Sequence, residues 1–254
     1  MLPPRAHTRL PAAVLWDMDG TIVDTENHWI AAAEQMLAES GATAPTSALA
    51  RLVGLALPDG AHVISELGGS GASDALLERW IELATQHTMA EGIGWRPGAR
   101  SLLATLNAAG VPLALVTMSY RDYATEVIRA LPPGTFDVTV TGDEVSRGKP
   151  FPDAYLRAAQ LLGVNAADCV AIEDSPVGLA AARAAGAATV GVPHDVPLTD
   201  DIADVLWPTL HGRDLHDLRL PLRREGTGND ESPTASAAGD SDSVRPKGLE
   251  PLTF

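Results

Sequence analysis

The 254-residue chain is 45% apolar and carries a formal net charge of −15 at pH 7, with a sequence pI near 4.7. That apolar fraction fills one good core, or a core plus a small second domain. The acidity excludes a broad polyanion-binding surface, because such a protein repels nucleic acid and anionic lipid over the screening length, and it directs attention to small-molecule partners. Cys169 is the single cysteine, so a disulfide framework within the chain is excluded. The opening MLPPRAHTRLPAAV lacks the continuous apolar core of a secretory signal, and no run reaches the ~18 apolar residues of a membrane span. The expectation is a cytoplasmic monomer acting on a small ligand, with neither nucleic acid nor membrane as partner.

In chain order, the first short apolar run is Val14–Trp16, which reads as a buried strand. Residues 26–39 then place Trp29, Ile30, Ala33, Met36 and Leu37 at helical spacing, 45–67 are mainly helical, and Ser73 is positioned to cap a helix carrying Leu76, Leu77, Trp80, Ile81 and Ala84. No strand separates these helices, so 27–94 reads as an all-α insertion above the first strand, a candidate lid. Beyond it, helical spacing at 98–109 and 153–162 ends at Gly110 and Gly163, with Asp153 positioned as a cap, and the alanine-dense 179–185 ends at Gly186. Between them lie strand-like runs at 113–116, 138–140, 170–172 and 189–192. This alternation predicts an α/β fold, a Rossmann-like parallel sheet core with helices on both faces and an inserted helical cap. The division is a core of 1–26 and 95–224, a cap of 27–94, and a disordered tail of 225–254 whose Gly, Ser, Asp and Pro content cannot offset ordering entropy.

Chemistry gathers where strands end. Asp17 and Asp19 directly follow the first strand, and two carboxylates pointing into one crevice are costly unless a cation joins them. Oxygen ligands suit magnesium, and a carboxylate can attack phosphorus while a second acid moves the proton. An Asp-Gly turn that merely ends a strand explains the same residues. Thr117 ends another strand, where a hydroxyl and successive amides can hold phosphate oxygens, although strand termination is the commoner role. Lys149 is presented by the stiff Gly148-Lys-Pro150 loop and can steady a transferring phosphoryl group. Glu173 and Asp174 follow the strand at 170–172, with helix capping as the plainer explanation for Asp174 or Ser175. Their joint occurrence on one α/β chain implies one crevice, with a metal between Asp17, Asp19 and Asp174 and a phosphate between that metal, Thr117 and Lys149.

These motifs, Asp17-Met-Asp-Gly-Thr-Ile-Val-Asp-Thr-Glu26, Thr117, Lys149 in Gly-Lys-Pro and Glu173-Asp-Ser175, resemble those of haloacid dehalogenase superfamily phosphatases with a helical cap, the subgroup that includes β-phosphoglucomutase and phosphoglycolate phosphatase. The resemblance covers about residues 12–205. It implies that Asp17 is phosphorylated, that Asp19 protonates the leaving group and then activates water, and that Thr117, Lys149 and the Met118 backbone amide bind phosphate. It further implies Mg2+ held by Asp17, the Asp19 carbonyl and Asp174, with Glu173 contributing directly or from behind. Met118 stands where the family often has asparagine. Trp29 and Gly54-Leu-Ala-Leu57 stand near the positions where a mutase carries a histidine and an arginine, which favours hydrolysis over mutase activity. Asp19 argues against a true dehalogenase, and the absence of lysine from 27–94 argues against phosphonate hydrolysis.

The resulting expectation is a magnesium-dependent phosphatase acting on a small phosphorylated metabolite. A sugar phosphomutase and a non-catalytic phospho-ligand-binding regulator are the alternatives. His62, His87 and His194 lack metal-ligand spacing and read as surface or packing residues, Trp80 and Trp95 as core or cap-interface residues, and Cys169 as a small buried apolar residue. From the tail's composition, truncation after Arg224 is expected to leave both turnover and melting temperature unchanged, as activity assay and thermal melt of the shortened chain would report.

Overall fold

The computed structural model describes residues 10–52 and 55–220. The expected tail, 225–254, lies outside the described residues.

Strands β1 (Val14–Trp16), β4 (Leu113–Val116), β5 (Val138–Val140), β6 (Val170–Glu173), β7 (Ala188–Gly191) and β8 (Val205–Leu206) form one parallel sheet in the order β5-β4-β1-β6-β7-β8. β1 is therefore central. Trp16 lies opposite Leu115 of β4 and Ile172 of β6, so the residues after these three strands emerge along one edge. That register is what makes a shared site possible.

Alternate residues of each strand feed opposite faces. Val14, Trp16, Leu113 and Leu115 pack with Leu102, Leu103 and Leu106 of α5 (Ala99–Ala108) and with Tyr123 and Val127 of α6 (Arg121–Arg129). Ala13, Leu15, Ala114 and Val116 pack with Ala154, Tyr155 and Ala158 of α7 (Asp153–Leu162) and with Ala181 and Ala182 of α8 (Pro176–Ala184). Both faces are covered, which explains why the central strands are apolar without alternation.

Between β2 (Val23–Asp24) and β3 (Gly94–Trp95) run four helices, α1 (Glu26–Glu39), α2 (Thr46–Leu49), α3 (Leu57–Glu66) and α4 (Ser73–Glu91). α4 packs on both α1 and α3. The Trp80 indole N–H donates to the Trp29 carbonyl at 2.9 Å, and the two rings meet edge to face at 5.1 Å. β2 and β3 pair antiparallel, Val23 with Trp95 and Asp24 with Gly94, where the chain leaves the sheet and returns to it.

The expected elements at 26–39, 113–116, 138–140 and 153–162 carry those bounds. Other features differ. Ser73 and Asp153 are the first helical residues rather than caps; Ala72 and Pro152 precede them without side-chain capping, and the Asp153 carboxylate instead takes Arg147 at 3.0 and 2.8 Å. α8 begins earlier, at Pro176, because Ser175 Oγ accepts from the Gly178 amide at 3.1 Å and proline suits the first turn. α6 was not legible, since its buried Tyr123, Ala124 and Val127 and the partly buried Ile128 are interrupted by charged residues within a nine-residue segment.

Leu83, 1% exposed, lies in α4 among the packed helices α1, α3 and α4. Leu83→Ala is expected to lower unfolding free energy by about 2–5 kcal/mol, read as a shift in urea midpoint at unchanged slope.

Candidate active site

The centre of the site is an ammonium between carboxylates. Lys149 Nζ donates to Asp17 Oδ1 and to Glu173 Oε1, each at 2.6 Å, and to the Val116 carbonyl at 3.0 Å. The Asp17, Glu173 and Lys149 side chains are 8%, 0% and 6% exposed. Glu173 is fully engaged: Oε1 also accepts from the Tyr155 hydroxyl at 2.8 Å, and Oε2 accepts from the Ser175 amide and hydroxyl at 3.3 and 3.1 Å. Glycine is required on both sides of this cluster. A Cβ at Gly178 would overlap the Glu173 carboxylate, and one at Gly20, where φ is +82°, would overlap the Asp174 carboxylate.

Asp19 faces a separate set of donors. Its Oδ1 accepts from Thr25 Oγ1 at 2.6 Å, and its Oδ2 from Ser119 Oγ at 2.7 Å and Thr117 Oγ1 at 3.2 Å. The Thr117 hydroxyl in turn accepts from the Ser119 amide at 3.0 Å, so Thr117 positions Asp19 through its proton. Met118 Sδ accepts from the Lys149 backbone amide at 3.3 Å, which ties the strand end to the lysine loop. Seven residues singled out in the sequence, Asp17, Asp19, Thr117, Met118, Lys149, Glu173 and Asp174, thus meet in one place.

The electrostatics call for a further cation. Carboxylate oxygens of Asp17, Glu173 and Asp174 lie within 4.8 Å of one another, with one lysine among them. Burial, followed by the Glu173 charge, pushes the Asp17 carboxyl from 3.8 up to about 7 despite Lys149. Burial and then Asp17 and Glu173 push Asp174 well above the usual range. Burial works against the Lys149 charge, yet Asp17 and Glu173 hold the lysine above its ordinary value. Asp17 Oδ2 is buried with no hydrogen-bond partner. An orphaned carboxylate oxygen within a hard-oxygen cluster fits a divalent metal, with Asp17 and Asp174 as the carboxylates to hold it, since both Glu173 oxygens are already occupied.

A cavity of about 170 Å³ opens over this cluster, walled by Trp29, Trp80, Leu52 and Leu57 from the helical segment and reached by Glu26, His194 and Asp195. His194, expected at the surface or in packing, is a cavity residue. Arg96 can only donate to its Nδ1, at 2.7 Å, which leaves Nε2 to face Asp24 at 3.2 Å and Asp195 at 3.4 Å. Trp80 is 2% exposed, as a core residue should be, while forming part of the cavity wall. Sequence reasoning also missed Thr25, Ser119 and Tyr155; Ser119, two residues beyond Thr117, was the one with a positional signal.

The profile of the haloacid dehalogenase-like hydrolases matches residues 14–192. The chain belongs to that family. It is 36% identical over 208 residues to Protein CbbY of Rhodobacter capsulatus, covering 77% of this chain and 91% of that one. It is 37% identical over 201 residues to Hexitol phosphatase A of Escherichia coli strain K12, covering 76% and 88%. In three dimensions it resembles the crystal structure of CbbY from Rhodobacter sphaeroides in complex with phosphate, with a TM-score of 0.74, 29% identity, and coverage of 83% of this chain and 100% of that one. The family and fold read from the motifs are those found. The chain is an enzyme of the hydrolase class, and no described helix is long and apolar enough to cross a membrane.

Asp17 and Asp174 titrate higher in the folded than in the unfolded chain, so without metal the fold loses stability as pH rises from 3.8 through about 7. A divalent ion opposes that loss. The gain in melting temperature on replacing EDTA with Mg2+ is expected to be larger at about pH 8 than at about pH 5, measured by thermal melts.

Proposed function

We propose that this hydrolase is a magnesium-dependent phosphatase that cleaves a small phosphorylated metabolite, a sugar phosphate or similar phosphomonoester, through an aspartyl-phosphate. The observation that carries the reading is the bare Asp17 oxygen beside Lys149, with a second carboxylate, Asp19, held by hydroxyls two residues away. The phosphatase and carbohydrate-related names of the relatives support it.

Asp17 forms a bond to phosphorus as the ester P–O bond breaks, and Asp19 gives its proton to the departing alkoxide. Water then attacks the phosphorus of aspartyl-phosphate, Asp19 takes the water proton, and inorganic phosphate leaves with Asp17 restored. Lys149 fixes the Asp17 carboxylate and meets charge on the transferring group, while Glu173 and Tyr155 hold Lys149 in place. The backbone amide of Met118 is assigned to phosphate oxygens, as is the Thr117 hydroxyl once its proton turns from Asp19 to the substrate, Thr25 and Ser119 then holding Asp19. Asp17, the Asp19 carbonyl and Asp174 would hold Mg2+, which would supply charge neutralisation for the attack.

Residues 27–94 serve as a cap on a core of 1–26 and 95–224, hinged at the β2/β3 pair and closing over the cavity to exclude water. The protein works as a cytoplasmic monomer. Hydrolysis is preferred to phosphoryl transfer between sugar hydroxyls, since Trp29, Leu55 and Leu57 line the cavity near the positions where a mutase carries a histidine and an arginine. Catalysis is preferred to passive phosphate binding because nucleophile, acid, lysine and metal-ligand positions are all occupied.

Asp17→Asn is expected to abolish phosphate release from p-nitrophenyl phosphate with the melting temperature retained. Asp19→Asn should slow it by roughly two to four orders of magnitude. Substantial turnover by Asp17→Asn removes Asp17 from the nucleophile role, and an unchanged Asp19→Asn rate removes the acid–base assignment.

A further inference from the structure

The cavity holds more negative charge than the phosphoryl chemistry uses. Its acids are Asp17, Asp19, Glu26, Asp174 and Asp195, and its basic side chains are Lys149 and His194. Lys149 is committed to Asp17 and Glu173. Together with a divalent ion it answers the buried cluster that includes the unpartnered Asp17 Oδ2, and Asp19 shuttles a proton. Glu26, in the first turn of α1, and Asp195, at the mouth, are left over.

The helical segment adds no cation to balance them. Residues 27–94 contain two arginines and no lysine. Arg51 pairs with Glu66 at 2.9 Å, and Arg79 with Glu39 at 2.9 Å and Glu82 at 2.7 Å, all on exposed surface. Neither arginine lines the cavity. Arg96 sits behind His194 and donates to its ring and to the Pro193 carbonyl at 3.0 Å, and His194 meets Asp195 through one oxygen. Glu26 experiences burial first and then Asp195, Asp19 and Asp24, all acting against its charge, which brings its carboxyl up to about 7. The same mouth carries Leu55, Val177 and Val196, exposed at 39%, 41% and 39%. A second phosphate or carboxylate on the substrate would enter this acidic mouth with no free cation among the described residues to meet it.

Resting on the phosphatase reading, we infer that the preferred substrate is a phosphomonoester of an amine-bearing alcohol, with Glu26 and Asp195 receiving the ammonium at the cavity mouth and the apolar rim covering its carbon skeleton. A neutral polyol phosphate is the second choice, and an ester with a second anionic group is rejected by like-charge repulsion.

The test is kcat/KM of the full chain with Mg2+ on two size-matched series: glucosamine 6-phosphate, glucose 6-phosphate and glucose 1,6-bisphosphate, and aminoethyl phosphate, propyl phosphate and phosphoglycolate. In the series turned over faster, the ammonium ester should lead the neutral one by about tenfold or more, with the doubly anionic ester last. Glu26→Gln and Asp195→Asn should each narrow that lead, a ratio within one preparation that partial misfolding does not move. A neutral or doubly anionic ester equal to or ahead of the ammonium ester overturns the inference, as does a lead unchanged in both variants. Absence of turnover on every ester and on p-nitrophenyl phosphate overturns the phosphatase reading itself, and this inference with it.

Discussion

The site depends on one buried ammonium. Lys149 arrives from the loop before α7 and joins Asp17 after β1 to Glu173 at the end of β6, so three separate stretches of chain are fixed by one charge. Removing Lys149 strands two buried carboxylates, an effect of about 3–5 kcal/mol, whereas the intact arrangement adds little net stability after desolvation. Its value is positional. With Glu173 saturated by Lys149, Tyr155 and Ser175, the lysine has one direction left, toward Asp17.

Two carboxylates separated by a single residue are thereby given different characters. Asp17 lies in a dry, crowded, acidic pocket beside an ammonium, with one oxygen bare. Asp19 is surrounded by the hydroxyls of Thr25, Thr117 and Ser119, which accommodate either protonation state by rotating. One environment suits a group that must be ionised and aimed, the other a group that must gain and lose a proton.

The acidity of the protein and its anionic substrate class are reconciled locally. Positive charge is concentrated at the strand ends, through Lys149 and the proposed ion, while the mouth of the cavity stays acidic and apolar. On the reading proposed above, a substrate is read at both ends, its phosphate by the floor and its remaining skeleton by Glu26, Asp195 and the helical wall. The β2/β3 pair, where the chain leaves the sheet for the helices and returns among the described residues, is the natural position for any relative motion.

The sequence by itself determined the α/β alternation, the helical insertion and the acids, threonine and lysine of the site, because strand-end carboxylates, a Gly-Lys-Pro loop and apolar runs are local patterns that need no knowledge of neighbours. It did not determine which hydroxyls would hold Asp19, that Tyr155 would steady Glu173, or that His194 would reach the cavity, since those partners lie far apart in the chain and have ordinary residue types. Ser73 and Asp153 looked like caps for the same reason: capping residues are recognised by type, whereas Asp153 was claimed by Arg147 across a loop. α6 stayed hidden because Arg121, Asp122, Glu126 and Arg129 break up its apolar pattern within a nine-residue segment. What the tertiary structure alone decided was the convergence, since only the parallel register of β4, β1 and β6 brings Thr117, Asp17 and Asp174 to the same edge, where their charges must be balanced together.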